Sequence, residues 1–163
     1  MVLESAGSQV SLQRCADLVI LSDTPKGRGV FATKHIPSRT IIDVCPVLVV
    51  EAEADLKLIE RTCLNHYTYN WSIVDPKGHR RVVQAVVFGL GSMFNHSRED
   101  QNVGWERDAE RGIITYRALR LIKAGEELCI SYGGRLTFVD ADDNSTTYNE
   151  GDGIEQLNQI QLD

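Results

Sequence analysis

The sequence predicts a mostly β protein with short helices, arranged as several small sheets. Short runs rich in Val, Ile and Leu recur along the chain. Clusters of Gly, Pro, Asp and Ser punctuate those runs, as strands separated by tight turns require. One internal stretch, by contrast, spaces its apolar residues at three and four, the helical period. The chain of 163 residues suffices for one domain with a core and is too short for two ordinary ones.

In order, residues 1–13 read as a loosely held lead-in. Leu18 to Leu21 is a short apolar strand ending in the turn cluster Ser22-Asp23-Thr24-Pro25-Lys26-Gly27, and Gly29 to Ala32 begins the next. Ile41 to Val44 and Pro46 to Val50 are rich in β-branched residues, which favour strands. Glu53 to about Asn65 places Leu56, Ile59, Cys63 and Leu64 on one helical face. A dense aromatic stretch, His66 to Trp71, follows, and then a mixed apolar segment from Arg81 to Phe94 with glycines at 89 and 91. Gly112 to Tyr116 reads as a strand and is followed by the apolar Ala118 to Ile122. Lys123-Ala124-Gly125 reads as a turn and Glu127 to Tyr132 as a last strand. Domain boundaries are expected at 14–138, with an acidic tail over 139–163.

The last 24 residues hold seven acids and no Lys or Arg. Ile154, Leu157 and Ile160 recur every three residues there. Such a segment is either a solvated acidic tail or a short amphipathic helix that docks on the domain or on a second subunit.

Composition excludes several classes. No apolar run approaches the roughly 20 residues of a membrane span. The N-terminus lacks the basic start and apolar stretch of a secretory signal, so the expected address is intracellular. A net charge of −6 argues against sequence-independent binding to nucleic acid, which needs Lys and Arg clusters, and suits a basic protein partner. Cys15, Cys45, Cys63 and Cys129 are too far apart for a zinc knuckle. The histidines are equally scattered. No metal is expected, and the thiols read as buried or partly buried free cysteines.

Three separated motifs remain: Lys26-Gly27-Arg28-Gly29-Val30-Phe31-Ala32, then Gly91-Ser92-Met93-Phe94-Asn95-His96-Ser97, then Gly125-Glu126-Glu127-Leu128-Cys129-Ile130-Ser131-Tyr132-Gly133. Each alone is a common turn or strand end. In this order, with strands between them, they resemble the SET domain of protein lysine methyltransferases over roughly residues 17 to 134. The brevity is similar to that of the short viral and fungal members. The resemblance implies small sheets around a C-terminal pseudoknot, S-adenosylmethionine as methyl donor, and a lysine in a basic protein tail as substrate, a histone first among candidates. It also implies a nuclear address and a homodimer.

Residue by residue, the resemblance puts Lys26, Gly27, Arg28 and Gly29 against the amino-acid part and sulfonium of the donor. Glycines there let backbone approach a ligand with no Cβ in the way. The Arg28 side chain either lies along the cofactor or points to solvent. Asn95 would bind the donor's amino-acid moiety, and the backbone around His96 its adenine. Asn102 follows in a loop one residue longer than the family's and without its proline, so no ligand contact is assigned to it. Tyr132 would be the catalytic tyrosine, brought beside Asn95 across 37 residues. Tyr67 and Tyr69 would line the lysine entrance, unless they are ordinary half-buried core tyrosines. Ile130 falls where an aromatic residue can limit methyl number, and an aliphatic residue leaves more room. Phe138 would cover the adenine.

Two other functions compete. A catalytically silent SET module would bind peptides, but it has no need for Tyr132, Asn95, His96 and the glycine turn together. A methyltransferase for a non-histone protein usually carries a large extra helical domain, for which this chain has no room.

Overall fold

The computed structural model describes residues 10–132. In chain order the strands are β1 (Leu18–Thr24), β2 (Gly27–Ala32) and β3 (Ile41–Val50), then after the helix α1 (Glu53–Ile59) β4 (Thr68–Val74), β5 (Arg80–Val87), β6 (Asn95–His96), β7 (Val103–Asp108), β8 (Ile113–Ala118) and β9 (Cys129–Ile130). They form a hairpin β1-β2, a five-stranded sheet ordered β4-β5-β3-β8-β7, and a two-stranded pair β6-β9. The expected mostly β architecture of several small sheets is the one observed. Its elements divide between two units.

One unit comprises residues 10–16, 40–92 and 105–117 and carries most of the five-stranded sheet. The two apolar runs expected around Pro46 are one continuous strand, β3. A proline in a central strand removes a ladder hydrogen bond. Here it sits where β3 changes partners: Ile41 to Pro46 pair with β8, and Val47 to Val50 pair with β5. Along the first half of β3 the other edge is taken by the lead-in. The Cys15 N–H donates to Ile42 O (2.9 Å) and the Val44 N–H to Gln13 O (2.9 Å). Period-two burial of Val83, Ala85 and Val87 on β5, and of Ile114 and Tyr116 on β8, supplies the core with Ile42, Cys45 and Trp71.

The sheet curls until its first and last strands meet. The Arg107 guanidinium on β7 donates to Asn70 O on β4 (2.9 Å) and lies 4.6 Å over the Trp71 ring. Trp105 meets Tyr69 edge to face, with centroids 6.0 Å apart. Arg107 thereby satisfies a backbone carbonyl of the edge strand β4.

Glu53 to Asn65 is not one helix. α1 stops at Ile59, and Cys63–Tyr67 form a separate 3-10 turn. Thr62 is the reason: it is extended, and its hydroxyl donates to Ile59 O and accepts the Leu64 N–H. The expected apolar face is not buried, with Leu56 and Ile59 half-exposed and Cys63 and Leu64 exposed. Cys63 thus differs from the expected buried thiols, whereas Cys45 and Cys129 are buried and Cys15 half-buried.

The other unit comprises residues 17–39, 93–104 and 118–132. It contains the β1-β2 hairpin and the β6-β9 pair, around Val30, Ala32, Ile36, Phe94, Val103, Ile122, Leu128 and Ile130. Its last strand is shorter than expected, because only Cys129 and Ile130 pair, while Glu127 makes an isolated bridge to Phe31.

Candidate active site

The site is built within the second unit from three chain segments. In the first, the hairpin turns at Pro25 and Lys26. Thr24 clamps the turn: its hydroxyl accepts the Lys26 N–H (3.2 Å) and donates to Gly27 O (2.6 Å). Gly27 takes φ +80°, which a side chain would strain. The Lys26 ammonium reaches across to donate to His96 O at 3.2 Å. Arg28 exposes its side chain, and its backbone carbonyl accepts from Asn95 at 3.0 Å. Gly29 is buried. A Cβ there would overlap the Glu127 carboxylate and come within 3.0 Å of the Asn95 amide nitrogen. Glycine at 29 is therefore a requirement of close approach.

The second segment, β6, lies parallel to the third, with Asn95 opposite Cys129 and His96 opposite Ile130. Parallel strands need a long connection, and here 32 residues separate His96 from Cys129. His96 is buried, and its Nδ1 accepts the Tyr132 N–H at 3.0 Å. A backbone N–H can only donate, so the proton of the neutral ring sits on Nε2. The rings of His96 and Tyr132 lie 5.3 Å apart. The Tyr132 hydroxyl donates to Phe94 O at 2.6 Å, a short bond that fixes the ring. Ile130 is fully buried.

Asn102 closes the arrangement. It is buried, and its amide nitrogen donates to Glu127 O (2.7 Å) and Glu126 Oε1 (3.0 Å) while its Oδ1 accepts the Cys129 N–H (2.9 Å). Both donors are occupied, and its acceptor faces a backbone N–H, so it pins the 126–129 segment. Although the loop is longer than the family pattern, the residue is still held in the core. Glu126 also meets Arg120 at 2.6 Å. Partial burial works against its charge, but the Lys123 N–H, the Asn102 amide and Arg120 together hold its carboxyl below the ordinary value.

Lys26, Gly27, Arg28, Gly29, Asn95, His96, Ile130 and Tyr132 thus all lie in this unit. Tyr67 and Tyr69 lie in the other. Tyr69 is half-buried, its hydroxyl donating to Gly91 O (2.8 Å) and accepting from Tyr116 (3.1 Å). Tyr67 is exposed, and its carbonyl accepts from Ser92 (2.8 Å). In the same unit the buried Asp43 carboxylate accepts the Leu90 N–H (2.9 Å) and pairs with Arg14 (3.0 Å), holding the loop that leads into Gly91. Burial first, and then Asp43, push the Cys45 thiol up to about 12, so it stays protonated beside that carboxylate. Phe138 lies outside the described residues.

Three groups at the site escaped sequence reasoning: the Phe94 carbonyl, Asn102 as a pin and Glu127. Backbone groups leave no trace in a motif. Glu127 did leave one, being an acid set directly before the buried run Leu128 to Ile130.

The chain matches the model of the SET domain over residues 27–133. It is 48% identical over 115 residues to a Schizosaccharomyces pombe protein named histone-lysine N-methyltransferase, H3 lysine-37 specific, covering 71% of this chain and 72% of that one. A Plasmodium falciparum crystal structure, 22% identical, superposes with a TM-score of 0.50 over 76% of this chain and 96% of its own. CpSET8 from Cryptosporidium, 23% identical, gives 0.53 over 74% and 59%. These two share the fold. The chain belongs to the SET-domain family of protein lysine methyltransferases.

Proposed function

We propose that this methyltransferase takes its methyl group from S-adenosylmethionine and transfers it to a histone lysine, acting in the nucleus as a homodimer. We assign residues 14–138 to the catalytic domain. The observation that carries the reading is the junction of the Asn95–His96 strand with Tyr132, whose hydroxyl is fixed on Phe94 O at 2.6 Å. The fungal relative's name points to histone H3 and its lysine 37 as the first substrate to test.

The residues present fit such a donor. Gly29 has no Cβ, and that lets the Asn95 amide and the Glu127 carboxylate close in on its backbone beside the Arg28 carbonyl. Lys26 to Gly29, Asn95 and His96 are the groups that would hold the donor. When bound, it supplies an electrophilic methyl on a sulfonium. The Tyr132 hydroxyl donates its hydrogen bond to Phe94 O, so its oxygen lone pairs can accept, suited to weak C–H···O contact with a polarised methyl. A lysine is protonated near neutral pH, with a pKa of about 10.4, and apolar surroundings such as Ile130 disfavour its ammonium form. An aliphatic residue at 130 leaves room for more than one methyl. Tyr67 offers an exposed ring face to a cationic or methylated amine. The Tyr69 hydroxyl is committed to Gly91 and Tyr116, a positioning role rather than a substrate contact.

The acidic charge is not spread over the fold. Residues 10–132 carry sixteen Lys and Arg against fifteen Asp and Glu, while 140–163 carry seven acids and no base. Charge attraction to a basic tail therefore rests on that last segment, outside the described residues.

The test is methyl transfer from labelled S-adenosylmethionine onto core histones and nucleosomes. Tyr132→Phe should lower kcat by roughly 100-fold, the scale of a positioned catalytic hydroxyl. Label confined to H3 and abolished by replacing its lysine 37 would fix the site. Label on no histone, despite donor binding, would overturn the histone assignment.

A further inference from the structure

Glu127 has no assigned role, yet it touches two of the residues that define the site. Its Oε1 accepts from the Asn95 amide nitrogen at 2.7 Å, and it abuts Gly29. The same amide nitrogen donates to Arg28 O at 3.0 Å. A carboxylate and a backbone carbonyl are both pure acceptors. The Asn95 amide can satisfy them only with its NH2 group, which has two hydrogens, one for each. Its orientation is therefore fixed by chemistry, and Oδ1 is the atom left to meet a ligand. The backbone of Glu127 is fixed independently by Asn102, through Glu127 O at 2.7 Å.

We propose that Glu127 is a positioning residue that makes Asn95 a dedicated acceptor for the α-ammonium of the methyl donor. The assignment deepens the reading of Asn95 as the donor's amino-acid contact and rests on it. An asparagine turned the other way would present NH2 and favour a carboxylate. Turned as it is, beside a negative charge, it favours an ammonium and opposes a carboxylate at that point. The donor's amino-acid end carries both groups, so Glu127 sets which of them is bound there and hence the direction in which the amino-acid chain enters. Adenosyl ligands that lack the amino-acid end are indifferent to it.

Glu127→Gln tests this directly, because it removes the charge and lets a glutamine NH2 compete for Asn95 Oδ1, leaving only Arg28 O to hold the amide as it is. Binding would be measured by titration calorimetry on the full chain with three probes: S-adenosylmethionine, S-adenosylhomocysteine and 5′-methylthioadenosine, which lacks the amino-acid end. The expected result is a roughly tenfold loss for the first two, the scale of a hydrogen bond to a charged group, with 5′-methylthioadenosine within twofold of wild type. In an Asn95→Ala background the same substitution should have no further effect, since its action runs through Asn95. Equal weakening of all three probes, unchanged binding of all three, or full additivity with Asn95→Ala would each overturn the proposal. If Glu127→Gln does not fold, Glu127→Asp, which keeps the charge but shortens the reach, carries the same expectation. A wild-type chain that binds 5′-methylthioadenosine but gains nothing from the amino-acid end would instead overturn the parent reading of Asn95.

Discussion

The two units hold themselves together by different means. In the five-stranded unit, backbone ladders and an alternating apolar core do most of the work, and polar side chains are accessories. The cross-strand pair Gln84–Asn70 is one such accessory, at 3.1 Å. In the other unit the strands are short, and β6-β9 joins only two residues on each side. There, side chains substitute for ladder bonds: Asn102 ties backbone to backbone, Asn95 ties Arg28 to Glu127, and His96 accepts from Tyr132. The site unit is thus pinned by amides and imidazole, and the groups that pin it are close neighbours of the candidate site residues.

The largest effect expected from this contrast is at Asn102. Asn102→Ala removes three hydrogen bonds and leaves the buried Cys129 N–H without its side-chain acceptor, at a cost of about 3 kcal/mol. Gln84→Ala, which removes one cross-strand bond in the sheet, should cost about 0.5 kcal/mol. Urea denaturation of both variants checks the difference. Equal costs would mean that the short strands need no such pin.

What the sequence made legible follows the same division. Strands β3 and β8 announced themselves because β-branched residues run together where a sheet buries them, whereas β5 lay inside the segment from Arg81 to Phe94 that reads only as mixed and apolar. β4 was hidden inside an aromatic stretch that reads as a site, and β7 has Glu106, Arg107 and Asp108 in place of an apolar face. β7 is a strand because β8 and Arg107's contacts with β4 hold it, a tertiary cause that local pattern does not carry. The helix was overextended because apolar spacing continued past Thr62, whose hydroxyl breaks the ladder. For the candidate site, the motifs pointed to Lys26 to Gly29, Asn95, His96 and Tyr132, which lie together in one unit. They said nothing of Glu127 or of the second asparagine's function, since a hydrogen-bond partner is set by three-dimensional approach.

A middle-sized effect would sharpen the view of the sheet unit. The Tyr116 hydroxyl is fully buried and donates to Tyr69. Burial, reinforced by Tyr69, pushes its phenol pKa up, so it stays neutral and the bond is an ordinary one. Tyr116→Phe should cost about 1 kcal/mol, measurable as a lower urea midpoint with unchanged slope. A loss as large as that of Asn102→Ala would show that this unit too depends on a polar pin.

The smallest effect concerns acid. Glu126 belongs to the pinned segment, and its folded carboxyl titrates below the ordinary value of 4.5 because Lys123 N–H, Asn102 and Arg120 outweigh the opposing effect of burial. A depressed folded pKa binds fewer protons in the native state than in the unfolded one. Its contribution to stability is therefore complete above the unfolded value and fades as pH falls through the folded one. The group is partly exposed, so solvent screening keeps the contribution small. Glu126→Gln should flatten the stability profile on the acid side of pH 4.5 and leave its shape near neutrality unchanged. Urea midpoints between pH 3 and 7 would read this out. A variant whose acid limb matched the wild type would mean that the amide and guanidinium around Glu126 bind its neutral form as well as its charged one, and that the pin in this segment is geometric rather than electrostatic.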